Sequence, residues 1–461
     1  MTTEQLAELM AKAPAEIVTE LQKSSYTVPK WSDLEKQYDP MKHKIQDPTI
    51  YPAKPTKEGV DDFKRTSLGL QKLAVARIAQ SMFSTPVSRS YNYDRDSEKE
   101  KQAVDILEQI YRTDNYMDSE NIERAKKLNA SCQIATVWHV YEKPYVIKDV
   151  VSKYRLTHTT YCEKDGYKIY AQNDSQGNLL VLSIGYTDSA NKDHLAVYLN
   201  TEKPEFIMYD KLEDWTVNTE VSKPLEVFPA VYSNIEEPVW GGDAGTNLVE
   251  QLEEMESYQG LYIKRNALPT FTQDMGDTSG MQQSTTEESS SDARRIIKVG
   301  KGGSMQDVTW EGADKAITSR YQRIRNAFFE QIQVPDTSFA NMISSNTSAE
   351  NKELIFADAK AKARDLGGEW EKLFYDEMLI VKGFATVLFP SFTKEFAAIS
   401  VRSTIQPYSI KTKKESAEFV STGGSAMSLD TKVRELGVVD DVSAEVLLIQ
   451  EEAGAAANQM Q

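Results

Sequence analysis

The chain has 461 residues, with 53 Lys and Arg against 70 Asp and Glu, a net charge of −17, and only four histidines and two cysteines. That length suffices for two or three domains with cores of their own, and a composition 40% hydrophobic and 27% charged excludes a mostly disordered chain. The acidity argues against sequence-specific nucleic-acid binding, which draws on basic patches to neutralise phosphates, but not against a protein past which DNA moves without sticking.

Residues 1–60 carry Pro14, Pro29, Pro40, Pro48, Pro52 and Pro55 among polar residues. The pattern favours short helical pieces and extended backbone over a packed unit, and the segment reads as an arm. From Asp61 the spacing of Phe63, Leu70, Leu73, Ala74, Ile78 and Met82 predicts a helix ended by Pro86. A second helix starts near Ser97, with Ala103, Ile106, Leu107 and Ile110 inward, and a third near Ser119. IATVWHVYE then reads as a strand, and strand patterns dominate from Tyr145 to Tyr232. There LLVLSIGY, HLAVYLN and EFIMYDKL are separated by NDSQGN and DSANKD, which supply turn chemistry. The pattern predicts an α+β body.

Beyond Pro238 and a GGDAG turn, a helix is expected over 246–266, with Leu248, Leu252, Met255, Tyr258 and Tyr262 on one stripe. Glu250, Glu253, Glu254 and Glu256 crowd its first half while Lys264 and Arg265 close it, the polarity that a helix dipole favours. Pro269 stops it. The polar run DMGDTSGMQQSTTEESSSD follows, then the strand-like RRIIKV and VTW around a glycine turn. A second long helix opens at Gly312, with Ile317, Tyr321, Ile324, Phe328 and Ile332 on its apolar stripe and Arg320, Arg323 and Arg325 on other faces. The loop DTSFANMISSN leads to Thr347 and Glu350, a capping-box pair for a helix carrying Ile355, Ala359, Ala363, Leu366, Trp370 and Phe374 on one face. Gly367 and Gly368 are expected to interrupt or bend it. FAAISVRSTI reads as a strand, and from Lys411 two or three short helices surround the turn at Gly423 to Ser428.

A search for chemistry finds almost nothing. His43, His139, His158 and His194 lie far apart with no HExxH, so no metal site is expected, and His139 in TVWHVY reads as a core residue. Cys132 and Cys162, with neither a CxxC nor an adjacent His, read as buried small hydrophobes in a reducing compartment. VGKGGS at Val299 to Ser304 lacks the spacing of a phosphate loop and reads as a glycine-rich turn. There is no GxSxG, no GxGxxG after a strand and no EF-hand loop. No apolar run approaches the roughly 18 residues of a membrane span, and MTTEQLAELMAKAP carries acids where a secretory signal is basic and apolar, so no membrane partner is expected. No cofactor is expected, and an enzyme reading rests only on Asp61, Asp62 and the acids from Glu250 to Glu256 as metal ligands of a nuclease, residues that read first as a solvated helix face.

The order of parts resembles the portal proteins, or head-to-tail connectors, of tailed bacteriophages. Four places carry the likeness: LGLQKLAVARIAQSMFSTPV at Leu68 to Val87, the helix pair around Leu248 and Tyr321 with its compact insertion, VPDTSFANMISSNTSAENKELIFADAKAKA at Val334 to Ala363, and ESAEFVSTGGSAMSLDTKVRELGVVDDVSAEVLLIQEEA at Glu415 to Ala453. The likeness spans about Asp61 to Ala453 and rests on the order of elements rather than on one specific motif. It implies an N-terminal arm over 1–60, an α/β wing over 61–240 and 348–410, stem helices at 241–269 and 312–334, a small α/β clip at 270–311, a tunnel loop at 335–347 and a helical crown over 411–461.

The resemblance further implies a structural ring without enzymatic activity, usually of about twelve subunits, at one capsid vertex of the virion, assembled in the host bacterial cytoplasm. Double-stranded DNA is packaged and ejected through such a ring. Its partners are the large terminase, then a head-completion or adaptor protein, with the major capsid and scaffolding proteins around it. In the tunnel loop Ser338, Asn341, Ser344, Ser345 and Asn346 would touch DNA by hydrogen bonds, with Phe339 and Met342 as apolar bumpers. Lys264, Arg265, Arg320 and Arg323 would face the channel or pair with a neighbouring subunit, and Lys298 and Lys301 of the clip would meet the motor or the adaptor. Another virion structural protein, an adaptor or a minor capsid protein, is the alternative.

Overall fold

The computed structural model describes residues 1–52, 55–56, 59–60, 64–147, 150–274, 286–288, 295–299, 311–334, 357–406, 413–423, 426–436, 445–446 and 448–450. The chain divides into one unit of Met1–Asp336 with Ala359–Pro407, and a second of Thr337–Asp358 with Tyr408–Gln461. The architecture is mixed helix and sheet, as the periodicities predict.

The first unit opens with α1 (Thr3–Met10), α2 (Pro14–Leu21) and α3 (Trp31–Tyr38), followed by the short pair β1 (Pro55–Thr56) and β2 (Gly59–Val60). Its helical body comprises α4 (Leu70–Phe83), α5 (Glu98–Glu108) with a π-helical turn at Gln109–Asp114, and α6 (Met117–Ser131), while β3 (Ser88–Asn92) lies between α4 and α5. Then come β4 (Gln133–Ile147) and β5 (Val150–Tyr161), which form a long antiparallel ribbon. After them run β6 (Lys168–Asn173), β7 (Leu179–Thr187), β8 (Asp193–Leu199), β9 (Glu205–Lys211), β10 (Trp215–Val217), β11 (Lys223–Pro224) and β12 (Ala230–Asn234). Strands β6 to β10 pair in chain order, β11 also pairs with β9, and β12 joins β4.

The turn residues act as their chemistry dictates. Asp174 Oδ1 accepts from the backbone N–H groups of Gln176 and Asn178 at 2.8 and 2.9 Å, and Gly177 supplies the left-handed φ of 88° that closes the β6–β7 hairpin.

The expected N-terminal arm is instead packed. Leu6, Leu9, Ile17, Val18 and Leu21 are buried in one cluster with Leu180, Val181, Leu195, Val197 and Tyr209 of the sheet. The Gln172 side chain donates to the carbonyls of Glu20 and Lys23, both at 2.8 Å, and ties the end of α2 to β6. Short amphipathic helices gain little alone, and here the sheet supplies the apolar partner that residues 1–21 lack.

The helix expected from Asp61 begins at Leu70; residues 61–63 lie outside the described residues. Just before it, Thr66 N–H donates to Ser257 Oγ at 2.9 Å and Leu68 N–H to Glu253 Oε1 at 2.7 Å, so these backbone groups bond to another element rather than to a helix of their own. Cys132 and Cys162 are free and buried, and burial pushes their thiols up to about 12 and about 11. His139 is exposed rather than core: the buried run of β4 that starts at Gln133 stops at Trp138, and the strand is buried again only at Ile147.

Two long helices, α7 (Gly242–Asn266) and α8 (Glu311–Gln331), flank β13 (Thr270–Asp274), β14 (Thr286–Glu288) and β15 (Arg295–Val299). GGDAG is not a turn before α7, because its last four residues form the first turn of the helix. Gly241 and Gly242 have φ of 78° and 53°, and a Cβ on Gly245 would sit 1.7 Å from the Trp240 carbonyl oxygen.

The helix α9 (Ala357–Leu388) runs unbroken through Gly367 and Gly368, contrary to the expected interruption. A Cβ at Gly367 would meet only Ile405 at 3.9 Å, and none would be met at Gly368. Phe396 to Ala398 end a short helix α10 (Thr393–Ala398), and the strand expected from Phe396 is shorter: β16 (Ser400–Thr404), which pairs with β3.

The second unit contains α11 (Lys413–Gly423) and α12 (Leu429–Leu436), the latter capped by Ser428 Oγ, which accepts from Thr431 N–H at 3.2 Å. The helices expected on either side of the Gly423 to Ser428 turn are thus present.

Candidate functional site

The most elaborated feature of the first unit is the pair α7 and α8 with the segment that braces it. Val249 and Leu252 of α7, Phe328 and Phe329 of α8, and Ile332 just beyond it are buried. The buried stripe of α7 runs Gly245, Val249, Leu252, Glu253 and Ser257, a 3.6-residue repeat that shares Leu252 with the expected stripe but is rotated away from its Leu248, Met255 and Tyr258. Tyr258 is therefore 47% exposed, and Ile263 55%.

Glu253 is fully buried, and nothing in the sequence separates it from its acidic neighbours. Its Oε1 lies 2.6 Å from His43 Nδ1 and accepts from Leu68 N–H; His43 Nε2 in turn lies 2.8 Å from the Gln37 carbonyl oxygen. The Gln37 side chain accepts from Trp240 Nε1 at 2.9 Å and Thr246 Oγ1 at 3.1 Å, and donates to Asp243 Oδ1 at 2.8 Å. Lys44 pairs with Glu250 at 2.9 Å. Residues 37–44 and 66–68 thus strap the first half of α7 to the body. The acids from Glu250 to Glu256 are divided among these partners and solvent, and among the described residues no group of three or more His, Cys, Asp or Glu gathers to hold a metal ion.

Of the basic residues singled out in sequence, Arg320 and Arg323 are exposed on α8. Arg325 and Arg77 both lie over the Phe329 ring, with Cζ 5.7 and 5.0 Å from its centre. Lys264 and Arg265 belong to the last turn of α7, and Lys298 stands in β15 opposite Gln273, with the side chains of all three outside the described residues. β13 pairs in parallel with β15, and β14 antiparallel to it, a small sheet of which only the RRIIKV strand was legible in sequence. Lys301 and the loop residues Ser338, Phe339, Asn341, Met342, Ser344, Ser345 and Asn346 lie outside the described residues, as do Thr347 and Glu350.

The first unit is thus an α+β body with a braced helix pair, between whose helices β13 to β15 lie in sequence. A model of the phage portal protein family, SPP1 Gp6-like, matches residues 21–459, and the chain belongs to that family. The family is structural and non-enzymatic, and membership implies a homo-oligomeric ring at a capsid vertex. No curated protein matches the chain. Among solved structures, a chain from the neck of an empty GTA particle computed with C6 symmetry is 9% identical, with a TM-score of 0.32, covering 82% of this chain and 92% of that one. No helix among the described residues is long and apolar enough to cross a membrane.

Proposed function

We propose that the ring forms the channel through which double-stranded DNA enters the capsid and later leaves it, and that it docks the large terminase first and head-completion or tail proteins afterwards. The observation that carries this reading is the family match across residues 21–459. In this reading α7 and α8 are the stem, the sheet of β13 to β15 belongs to the clip, residues 335–347 are the tunnel loop and residues 411–461 are the crown.

The chemistry suits a conduit. Each phosphate that a wall neutralises tightly adds a barrier to sliding, whereas a subunit of net charge −17, repeated around a ring, holds the duplex off the wall. The short polar residues of 338–346 touch passing DNA without anchoring it. The exposed Arg320 and Arg323 either face the channel or pair with acids on the next subunit's α7. Lys298 and Lys301 meet acidic surfaces on the motor or the adaptor. In the host cytoplasm the ring is incorporated as capsid and scaffolding proteins assemble.

The test is a packaging reaction with heads assembled from capsid and scaffolding proteins, with and without this chain. Terminase and ATP should render DNA nuclease-resistant only in heads that contain the chain. Equal protection in heads lacking it would overturn the portal reading in favour of an adaptor or minor capsid role.

A further inference from the structure

One face of the β4–β5 ribbon is buried at Ile147, Ser152 and Leu156, while the other stands exposed at Val146, Val151 and Lys153. Only Gln133 to Val137 of β4 pair with β12, and Trp138 N–H donates to the Pro229 carbonyl at 2.8 Å; beyond that point β4 has β5 as its one strand partner among the described residues. From Trp138 to Ile147 the ribbon reaches about 30 Å at ~3.3 Å per residue. The register sets Tyr141 opposite Arg155 and Val146 opposite Val151, which puts Tyr141, Val146 and Val151 on one face. Val146 is 61% and Val151 70% exposed. A two-stranded ribbon is marginal by itself, and exposed apolar residues on such a flat element mark a docking surface.

The same chain carries a second bare apolar surface. On α9, Tyr375 and Leu379 are 57% and 48% exposed. Beside Leu379 a groove of about 610 Å³ separates α9 from the end of the six-stranded sheet, with Asp376, Ile380, Phe228 and Asp174 in its lining. The root of the ribbon meets α9 on the opposite face: Trp138 Nε1 donates to the buried Glu377 at 3.0 Å, and at 3.6 residues per turn Glu377 points away from Tyr375 and Leu379. Ala230, Val231 and Tyr232 of β12, which pairs with the root of β4, also line the groove, so it opens beside the ribbon's root, between α9 and the sheet.

A closed ring joins two different surfaces of each subunit, one to each neighbour. The charges agree with such a junction: Lys143 and Lys153 are exposed on the ribbon, and the groove carries two acids, Asp174 and Asp376, against one base, Lys372. We propose that the β4–β5 ribbon of one subunit docks on the next copy of this chain, laying Val146 and Val151 along Leu379 and the groove beside α9. The inference rests on the ring reading above.

The test is disulfide cross-linking in assembled rings. Cys132 and Cys162 are fully buried and leave the background quiet. Under mild oxidation the double variant Val146→Cys with Leu379→Cys should give a ladder of linked subunits on a non-reducing gel. Mixing chains that carry one substitution each should give dimers and nothing larger. Lys153→Glu should lower ring yield several-fold, and Asp376→Lys in the same chain should restore it. Rings that form normally but do not cross-link, or a link confined within one chain, would overturn the docking while leaving the ring reading intact. A wild-type chain that forms no ring at any concentration would overturn both.

Discussion

The Arg124 guanidinium and the Glu377 carboxylate stand 3.1 Å apart with no solvent exposure on either side chain. Glu377 also accepts from Trp138 Nε1 and from the Tyr111 hydroxyl, so one carboxylate joins α9 to α6, to β4 and to the π-helical turn. The cation of Arg124 lies 5.8 Å from the Trp370 ring centre and finds a second oxygen on Asn121 at 3.1 Å. Removing one partner of a buried pair strands the other charge in the core. Glu377→Ala should therefore cost about 3–5 kcal/mol. Urea unfolding of the two proteins checks it, and a loss as small as a surface substitution's would contradict the assignment.

Two glycines of long helices should answer oppositely to alanine. Gly245→Ala places a Cβ against the Trp240 carbonyl, and backbone there has to move, so both the start of α7 and its packing on Phe328 suffer. Gly368 is exposed with open space around it, and Gly368→Ala should stabilise by about 0.5–1 kcal/mol from helix propensity alone. Thermal melts of the two variants give the comparison directly.

His158 sets an acid limit. Burial, and then the nearby Arg124 charge, push its imidazole down to about 4 from an ordinary 6.5, and its ring packs 5.0 Å from that of Trp138. The neutral form is the native one. Its contribution is complete above the unfolded value near 6.5 and is lost as pH falls toward 4, because the unfolded chain takes up the proton first. Denaturation midpoints measured across that window should fall in the wild type, and His158→Gln should flatten the slope. An unchanged slope would contradict the assignment.

Ile263 is exposed near the end of α7, and the stem reading proposed above sets that face against a neighbouring subunit. Ile263→Glu should leave the monomer's melting behaviour unchanged while lowering the yield of assembled rings, read by size-exclusion chromatography with light scattering. Equal ring yields would show that this face of α7 is free of subunit contacts.

Much of the fold is legible because its signals are local. LLVLSIGYT and DHLAVYL alternate or run apolar over whole strands, and Ile324, Phe328 and Ile332 repeat at helical spacing, so neither needed a distant partner to be read. The N-terminal helices failed for the opposite reason: Leu6, Leu9, Ile17, Val18 and Leu21 make only short apolar groups on two-turn helices, and the sheet that buries them lies more than a hundred residues away in sequence. Glu253 was illegible because its partner His43 comes from a proline-rich stretch that looked extended. Periodicity also misplaced the buried stripe of α7, since a heptad through Tyr258 and a 3.6-residue repeat through Val249 fit the same residues. His139 shows the limit of composition: alternation along the strand turns it to the face opposite the buried Trp138.

The most direct test is electron microscopy of the purified chain, with rotational averaging of end-on views and light scattering for mass. The account predicts a closed ring with a central hole that admits a DNA duplex, and a mass that is a whole multiple of the subunit's, about twelve. A monodisperse monomer or dimer at high concentration, or a closed assembly with no central hole, would contradict it.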